Sequence, residues 1–345
     1  MRKLFSIIAK IICVIIAFSL LTMLFMPKYI EKNVDGRITA EYYREKTPID
    51  VIFVGASTVQ ADISPMTLYR EYGITAYDRS GPSQVVPISY AVIMDSIKRN
   101  KPELVVMDVG FIYQPDDYVD EGASRKSLDS MRWSKYKANC INAVMGPTEN
   151  YLDYVFPILR FHSRWNDLNL EDLKYWVYKP NVTYNGQVLQ FSDEGRYEEV
   201  NHYMLDSSVV ASERTMMYLQ MIVDACNEND IQLLFIKLPL IKGNWNEAIN
   251  KQVIDFAIDN KVNYYCLTES FEEIGLDINS DYTDGQHMNS YGAEKFSVYL
   301  GRYIKDNYSV SDRKLDDRTR NIFDIKLEKY EDSMINKRPS ENKLN

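Results

Sequence analysis

The 345-residue sequence has few of the residues that build metal centres or covalent cross-links. It contains three histidines and four cysteines, and no two cysteines form a CxxC pair. A zinc ribbon and a dense disulfide framework are therefore excluded, and a His-rich metal site is not expected. Long polar low-complexity tracts are also absent, and the content of 46% hydrophobic and 12% aromatic residues is that of an ordered protein.

An excess of positive charge is missing as well. Lys and Arg number 40 against 49 Asp and Glu, which gives a net charge of -9 and a pI near 5.1. Proteins that bind the phosphate backbone of DNA or RNA normally present a positive field. We therefore expect no nucleic acid among the partners of this chain.

The N-terminus holds a long apolar run, residues 4–26, which is interrupted by one charge at Lys10. A membrane-spanning helix needs roughly 20 apolar residues, so the run is long enough to cross a bilayer. Arg2 and Lys3 precede it, and the positive-inside rule then places the N-terminus in the cytoplasm. Residues 1–27 are predicted to be a cytoplasmic tip and a single transmembrane anchor in the cell membrane, with the rest of the chain outside the cytoplasm.

A cleaved signal peptide is the main alternative for this run. Such a peptide has a short apolar core and a small-x-small cleavage site. The run instead ends in Leu-Phe-Met-Pro-Lys, residues 24–28, and contains no such site at its end. A buried core helix is a third alternative, and whether the segment is cleaved stays open at this point.

Beyond the anchor, the sequence divides into a charged connector at 28–48, a domain at 49–308 and a charged tail at 309–345. Short apolar runs typical of buried parallel strands alternate with helical patterns. Strands are predicted at 50–54, 74–77, 103–109, 231–238 and 262–267, and helices at 64–72, 87–99, 212–229, 246–260 and 290–306.

This alternation predicts an α/β fold, a three-layer α/β/α arrangement with a parallel sheet covered on both faces. It pauses at about 112–205, a stretch rich in Tyr, Trp and Asp that we interpret as an inserted, mostly helical subdomain or a long lid. The tail is predicted to be flexible and solvated, with a helix around 319–336.

The turn after the first predicted strand reads Gly55-Ala56-Ser57-Thr58. A glycine before a serine at a strand-to-helix turn allows a sharp bend that leaves the hydroxyl exposed, as a nucleophile requires. The N–H groups of the following helix also point to this end, where they can bind a developing oxyanion. Taken alone, the same residues are more typical of a small turn with an N-capping hydroxyl than of a nucleophile.

A second motif, Asp284-Gly285-Gln286-His287, stands just before the last helix. A serine hydroxyl needs a base with a pKa near neutrality, which histidine supplies. An aspartate three residues ahead can fold back onto the ring, orient it and stabilise its protonated form. The carboxyl ends of the strands meet at one edge of the sheet, so we expect Ser57, His287 and Asp284 to lie together there.

Because it contains both motifs, the sequence resembles the SGNH/GDSL hydrolase superfamily over about 48–112 and 206–308. The segments DVIFVGAST, DISPMTLYREYGI and YTDGQHMNSYGAEKFSVYL look most like its membrane-anchored branch, which includes the D-alanine transfer protein of teichoic-acid modification and proteins of surface-polysaccharide O-acylation. The resemblance implies a flavodoxin-like sheet, a Ser57–His287–Asp284 triad, no metal or organic cofactor, and a membrane-bound O-acyltransferase as partner.

The sequence also departs from the family pattern. Ala56 stands where the family usually has an aspartate, and no asparagine occurs at 107–111, where the third family block normally supplies one. The resemblance then leaves an oxyanion hole made by the N–H groups of Ser57 and Gly81 with help from the Gln84 side chain. One missing donor typically costs about 100- to 1,000-fold in rate, which suggests slow or specialised chemistry, or an inactive descendant.

Three further residues are candidate substrate-binding groups. Asp108 ends the third predicted strand and is expected either to line the site or to cap a loop. His162 and Arg164, in the FHSRW segment of the insertion, are expected to bind an anionic or sugar group or else to pack within the insertion.

These observations predict a serine acyltransferase or esterase that acts on O-acyl groups of a cell-surface polysaccharide or teichoic-acid-like polymer. Two alternatives stay open. One is a catalytically inactive accessory protein of a membrane O-acyltransferase system, which the missing asparagine favours. The other is a secreted lipase or esterase that hydrolyses small esters.

Overall fold

The structure, a computed structural model, describes residues 2–26, 34–192, 196–310 and 315–336. Within these residues five parallel strands form one sheet in the order β2-β1-β3-β4-β5. The strands are β1 Val51–Val54, β2 Ala76–Asp78, β3 Leu104–Asp108, β4 Gln232–Lys237 and β5 Asn263–Cys266.

The helices are α1 Arg2–Phe25, α2 Val34–Arg44, α3 Ser57–Asp62, α4 Pro65–Tyr72, α5 Val86–Asn100, α6 Glu121–Leu128, α7 Lys135–Val144, α8 Tyr151–Val155, α9 Ile158–Phe161, α10 Leu170–Val177, α11 Glu213–Glu228, α12 Glu247–Asn260, α13 Phe271–Ile274, α14 Ser290–Asn307 and α15 Asp317–Asn336. A short 3-10 helix, His162–Asn166, follows α9. The predicted strands and helices of the α/β domain agree with these bounds to within two residues at most ends.

Both faces of the sheet are buried along the central strands β1 and β3, which explains why these strands are apolar from Val51 to Val54 and from Leu104 to Met107. Along β1, Ile52 and Val54 belong to the core on one face, and Val51 and Phe53 to the core on the other. Alternate side chains of a strand point to opposite faces, so each strand needs apolar residues at every position. Helices α5, α11 and α12 cover the first face, and α3, α4 and α14 cover the second. The predicted three-layer α/β/α fold is confirmed.

The strand order creates a crevice at β1. From β1 the chain adds β2 on one side, and then β3, β4 and β5 on the other. The connection from β1 to β2 and the connection from β2 to β3 therefore run in opposite directions across the sheet. In open α/β sheets ligands bind outside the carboxyl ends of the strands at such a point. Residues that follow β1 consequently lie where this type of sheet places its binding site.

Helix α1 is 24 residues long, and none of its side chains is buried. Its length and apolar composition are sufficient to cross a membrane. An N-terminal signal sequence has the same properties.

The predicted connector at 28–48 is not merely a linker, because it contains α2, which packs into the core. Ile38 and Tyr42 are buried, and the Tyr42 ring meets the Tyr77 ring of β2 at a centroid distance of 5.0 Å. The Tyr77 hydroxyl also donates to the Ile38 carbonyl, at 3.0 Å. The polar residues that suggest a connector form only the outer face of an amphipathic helix.

The insertion is helical in its first half only. Helices α6 to α10 and the 3-10 helix occupy 121–177, whereas 178–192 and 196–212 are irregular. The expectation of a mostly helical subdomain therefore needs correction for its second half, which lies along the domain and reaches the candidate site.

The charged tail is also corrected, because α15 packs against α4 rather than staying flexible. Phe323 and Tyr330 are fully buried, and the Phe323 ring lies 4.9 Å from that of Tyr69. The Ser64 hydroxyl, which caps α4, donates to the Tyr330 hydroxyl at 3.1 Å. Phe323 and Tyr330 are seven positions apart and form the apolar face of this helix. The many charged residues around them make this face hard to recognise in the sequence.

We expect Phe323→Ala to lower the free energy of unfolding by about 3–5 kcal/mol, because it removes a buried ring and leaves a cavity. Ile325→Ala, on the exposed face of the same helix, is the matched control and should change it by about 0.5 kcal/mol or less. Urea denaturation measures both. Equal effects would show that α15 does not pack on the domain.

Candidate active site

Ser57 is the first residue of α3, directly beyond the carboxyl end of β1. The turn before it needs glycine, because a Cβ on Gly55 would lie 2.5 Å from the Val59 side chain and 3.0 Å from Asp108 Cβ. The N–H groups in the first turn of a helix have no acceptor within the helix. The predicted steric role of the glycine thus agrees with the structure, and the half-buried Ser57 side chain stands at the crevice beside β1.

The structure brings Ser57, His287 and Asp284 together. Ser57 Oγ lies 2.9 Å from His287 Nε2, although the two residues are 230 positions apart in sequence. On the other side of the ring, His287 Nδ1 lies 2.9 Å from Asp284 Oδ2 and 3.0 Å from Oδ1. Because a carboxylate only accepts hydrogen bonds, Nδ1 carries the proton and Nε2 accepts from the Ser57 hydroxyl.

A short loop holds the aspartate and the histidine in place. Tyr282 and Met288 pair across its base, and the Thr283 N–H donates to the His287 carbonyl at 2.8 Å. Within the loop, Asp284 Oδ1 accepts from the N–H groups of Gln286 at 2.7 Å and His287 at 2.9 Å. The carboxylate is therefore oriented by backbone donors before it meets the imidazole.

The charges of the pair reinforce each other. Partial burial of Asp284 opposes ionisation, but hydrogen bonds from the His287 ring and from the two N–H groups lower its pKa to about 2. Burial of His287 favours its neutral form, yet the hydrogen bond to Asp284 and the charges of Asp62 and Asp284 raise its pKa above the ordinary value. His287 is thus a stronger base than a free histidine.

Asp62, at the end of α3, also contributes to the candidate site, although the sequence analysis did not identify it. Its side chain is fully buried, and Oδ1 accepts from the Met288 N–H at 2.8 Å. This bond ties the residue after His287 to the helix that begins at Ser57. Burial raises the pKa of Asp62 well above its usual range, and the nearby His287 and the Met288 N–H oppose that rise.

We expect Asp62→Ala to lower the free energy of unfolding by about 1–3 kcal/mol, because the buried Met288 N–H loses its acceptor. Asp62→Asn retains an acceptor oxygen of the same shape and should cost much less. Thermal or urea denaturation of both variants tests this. If the asparagine variant is destabilised as strongly as the alanine variant, the bond to Met288 is not what matters.

Of the predicted oxyanion donors, the structure places one where it can donate a hydrogen bond to a substrate oxygen. The Ser57 N–H lies in the first turn of α3, whereas the Gly81 N–H donates to the Gly55 carbonyl over a long 3.3 Å bond. The buried Gln84 side chain donates to Ser89 Oγ at 3.3 Å and accepts from Ser127 Oγ at 3.5 Å. The predicted role of Gln84 as an oxyanion donor therefore needs correction, because its side-chain amide is hydrogen-bonded to two serines in the protein interior.

Asp108 was expected either to line the site or to cap a loop, and the structure shows the second of these arrangements. It is buried beneath the turn, where it accepts from the Leu238 N–H at 3.4 Å and is also hydrogen-bonded to the Gly110 N–H and the Thr58 side chain. Burial raises its pKa, an effect that the fully buried Lys237 on β4 opposes. Asp108 thus links β3, β4 and the residue after Ser57, and does not face a substrate.

His162 and Arg164 lie beside α1 instead of joining the triad. His162 is exposed, and its Nδ1 lies 2.7 Å from the Leu159 carbonyl. Arg164 forms an ion pair with Asp172 at 3.1 Å and donates to the Phe25 carbonyl at the end of α1. The structure thus places both residues away from the triad, and a role for them in binding an anionic or sugar group stays a prediction.

The irregular half of the insertion reaches the triad. Ser290 opens α14, and its N–H donates to the Gln190 carbonyl at 2.7 Å, while the Gln190 N–H donates to the Ser290 hydroxyl oxygen at 2.9 Å. The Tyr197 ring lies 5.3 Å from Lys242 Nζ, and the Lys242 N–H donates to the Gly285 carbonyl at 2.7 Å. Residues of this half therefore border the loop that carries Asp284 and His287. Their position depends on tertiary contacts, so no local sequence signal indicates it.

This arrangement can activate a serine. The hydroxyl of Ser57 has an acceptor that can take its proton, and the imidazole has a carboxylate that stabilises its charged form. Within the ranges that the structure describes, no group of three or more His, Cys, Asp or Glu side chains is placed to hold a metal ion.

No model of a known protein family matches this chain, and no curated protein matches it in sequence. Among solved structures it is similar to a proposed acylhydrolase from Bacteroides fragilis (13% identity over 77% of this chain and 94% of that chain, TM-score 0.37). It is also similar to a proposed lipolytic protein of the G-D-S-L family from Desulfitobacterium hafniense (11%, 73% and 97%, 0.35) and a GDSL-like lipase from Bacteroides thetaiotaomicron (12%, 79% and 97%, 0.37). Because the TM-scores are below 0.5, we base no function on these likenesses.

Proposed function

We propose that this chain is a membrane-anchored, extracytoplasmic serine acyltransferase or esterase of SGNH type, acting on O-acyl groups of a cell-surface polysaccharide or teichoic-acid-like polymer. The observation that carries the chemical part is the continuous hydrogen-bonded line from Ser57 Oγ through the His287 ring to the Asp284 carboxylate, with contacts of 2.9 Å at both steps. Geometry of this kind is the signature of an activated serine.

In the first half of the reaction, Ser57 Oγ attacks the carbonyl carbon of the acyl ester while its proton passes to His287 Nε2. The new C–O bond places a negative charge on the former carbonyl oxygen. When this intermediate collapses, the bond to the leaving alcohol breaks, and that alcohol takes the proton from His287. Asp284 stabilises the imidazolium throughout and keeps its own charge, because its pKa is held at about 2.

The oxyanion would be bound first by the Ser57 N–H. The Gly81 N–H joins it when its long bond to the Gly55 carbonyl gives way to the stronger, charged acceptor. With two backbone donors and no asparagine at 107–111, the stabilisation is smaller than that of a three-donor hole. We therefore propose a slow reaction.

In the second half, His287 removes a proton from an incoming hydroxyl, whose oxygen attacks the acyl carbon on Ser57. The bond between that carbon and Ser57 Oγ then breaks, and Ser57 Oγ takes the proton from His287. Water in this role gives hydrolysis, and a sugar or polyol hydroxyl gives transfer. The two outcomes use the same residues, so the choice depends on which acceptor occupies the crevice.

The proposed location and partners are supported by sequence features. Helix α1 has the length and composition of a membrane span, and the basic residues before it favour a cytoplasmic N-terminus. The residues around Ser57 and His287 resemble the membrane-anchored branch of the superfamily, from which we propose the polymer substrate and a membrane-bound O-acyltransferase that supplies the acyl group.

A fluorophosphonate probe, which reacts with activated serines, tests the chemistry on the full-length chain in detergent. We expect labelling of the native sequence, no labelling of Ser57→Ala or His287→Ala, and full labelling of Ser309→Ala, an exposed serine in a loop. Labelling that survives in Ser57→Ala would place the nucleophile elsewhere.

Two observations favour a second function, that of an accessory protein without catalytic activity. The Gly81 N–H is already bonded, and the expected asparagine is missing. If neither the probe nor a small aryl acetate reacts with the folded native chain, this second function replaces the first. Rapid turnover of small soluble esters with no reaction on surface polymers would instead support a lipase or esterase.

A further inference from the structure

The exposed apolar side chains of this protein are concentrated in the insertion. In the described part of the chain, twenty large apolar side chains outside α1 are exposed, and ten of them lie between Leu152 and Val182. They are Leu152, Phe156, Leu159, Trp165, Leu170, Leu173, Trp176, Val177, Tyr178 and Val182. Val177 is 91% exposed. Apolar residues gathered in one region of a surface mark a site of interaction with another protein or a membrane.

The insertion surface, as we call these ten residues, adjoins the end of α1. The rings of Phe18 and Phe156 meet edge to face at 5.9 Å, and Arg164 donates to the Phe25 carbonyl. Phe18 lies seven residues before Phe25, which is about 10 Å along a helix axis. If α1 spans a bilayer and ends at its surface, Phe156 lies at the depth of the acyl chains. Trp and Tyr residues, which the insertion surface also contains, are enriched where headgroups meet those chains.

A cavity of about 620 Å³ opens beside this surface, between the end of α1 and helices α2, α6, α9 and α10. Its apolar wall includes Met23, Met26, Phe161 and Trp176. It lies apart from the triad, because none of Ser57, Asp284 and His287 lines it.

The polar wall of the cavity is basic. Arg44, Arg132 and Lys179 line it, and among the described residues none of them forms an ion pair with a carboxylate. Arg44 donates to the Asn181 amide, while Arg132 and Lys179 lie over tyrosine rings. Among the described residues, the one carboxylate that lines the cavity is Asp129, which pairs with arginines of the insertion. The whole chain has a net charge of -9, so the positive charge of this cavity wall is a local feature and not a property of the whole surface.

We propose that the insertion surface lies in the outer face of the bilayer and that the cavity holds the headgroup of an anionic phospholipid. The lipid phosphate binds Arg44, Arg132 and Lys179, and the upper part of an acyl chain packs along Met23 and Met26. A ligand that is apolar at one end and anionic at the other matches both walls, whereas an inorganic anion uses only one. The inference rests on the proposed membrane anchor and is independent of the proposed chemistry.

Lipid retention tests the cavity. The full-length chain is reconstituted in nanodiscs of phosphatidylcholine with a minor share of phosphatidylglycerol, released in mild detergent, and examined by native mass spectrometry for bound lipid. We expect selective retention of phosphatidylglycerol. Arg132→Glu combined with Lys179→Glu should reduce it at least about 25-fold, since each basic group near a lipid surface contributes about a factor of five and the new carboxylates also repel the phosphate.

The matched control is Lys98→Glu combined with Arg302→Glu, which reverses the same two charges at exposed positions outside the cavity. This pair should retain phosphatidylglycerol as the native chain does. Equal loss in both double variants, or equal retention of the two lipids by the native chain, would overturn the cavity assignment. Addition of inorganic phosphate should not displace the lipid, and displacement would identify a phosphate site instead.

Tryptophan quenching by phosphatidylcholine brominated on its acyl chains tests the insertion surface. Trp165→Phe combined with Trp176→Phe should remove most of the quenching seen in the native chain, while Trp245→Phe, in the buried core, should leave it unchanged. Quenching that persists in the double variant would overturn the proposal. A chain that separates from the nanodiscs would overturn the anchor itself. Neither readout uses catalysis, so failure of the serine mechanism leaves both tests intact.

Discussion

Replacing Ser57 by alanine is expected to lower kcat for an aryl acetate by roughly 10⁴- to 10⁶-fold, to the level that binding and the oxyanion donors alone sustain. The expectation follows because Ser57 Oγ, the proposed nucleophile, lies 2.9 Å from His287 Nε2, the base that takes its proton. Steady-state kinetics with a chromogenic ester measures it. The kcat of His287→Ala should fall almost as far, and the kcat of the double variant should fall no further, because the two residues act as a unit.

Ser309→Ala is the control for the serine substitution, since its side chain is exposed in a loop beyond α14. It should leave kcat unchanged. Activity of Ser57→Ala within tenfold of the native chain would refute the assignment of the nucleophile. Circular dichroism of each variant distinguishes loss of chemistry from loss of fold.

The second large effect is expected for Asp284→Asn, which should lower kcat by about 10³- to 10⁴-fold and also move the pH profile. Catalysis requires neutral His287, so activity falls as the pH drops through the pKa of this group. Asp284 raises that pKa through its hydrogen bond and its charge. Without the charge, the pKa of His287 falls and the acid limb of the profile shifts to lower pH.

The pH profile separates two roles of Asp284. A residue that merely stabilises the loop would change kcat at all pH values without moving the acid limb. Asp306→Asn, an exposed carboxylate near the end of α14, is the control and should change neither. An unmoved acid limb in Asp284→Asn would contradict the contact that the structure shows between this carboxylate and the imidazole.

Much of the fold could be predicted from sequence because the sheet is buried on both faces. Continuous apolar runs such as 51–54 and 233–236 need no tertiary information to be recognised as strands. The proximity of Ser57 and His287 also followed, because both motifs stand at places that an open parallel sheet brings to one edge.

What could not be predicted depends on contacts between distant segments. Asp62 meets Met288 across 226 positions, and nothing near either residue indicates the pairing. Asp108 ends a strand at the correct edge, but whether a carboxylate there faces solvent or the interior depends on what covers it. Phe323 and Tyr330 are two apolar residues in a charged segment, and their packing requires α4 as a partner.

The packing of α2 on the domain has a consequence for how far the protein can reach. Seven residues separate Met26 from Val34, and their covalent length is at most about 25 Å. If α1 spans the membrane, the crevice at Ser57 can explore only a thin shell of space above the lipid. Acyl groups further out on a long polymer would then be inaccessible, and turnover would depend on the density of polymer per unit area of membrane and not on its bulk concentration.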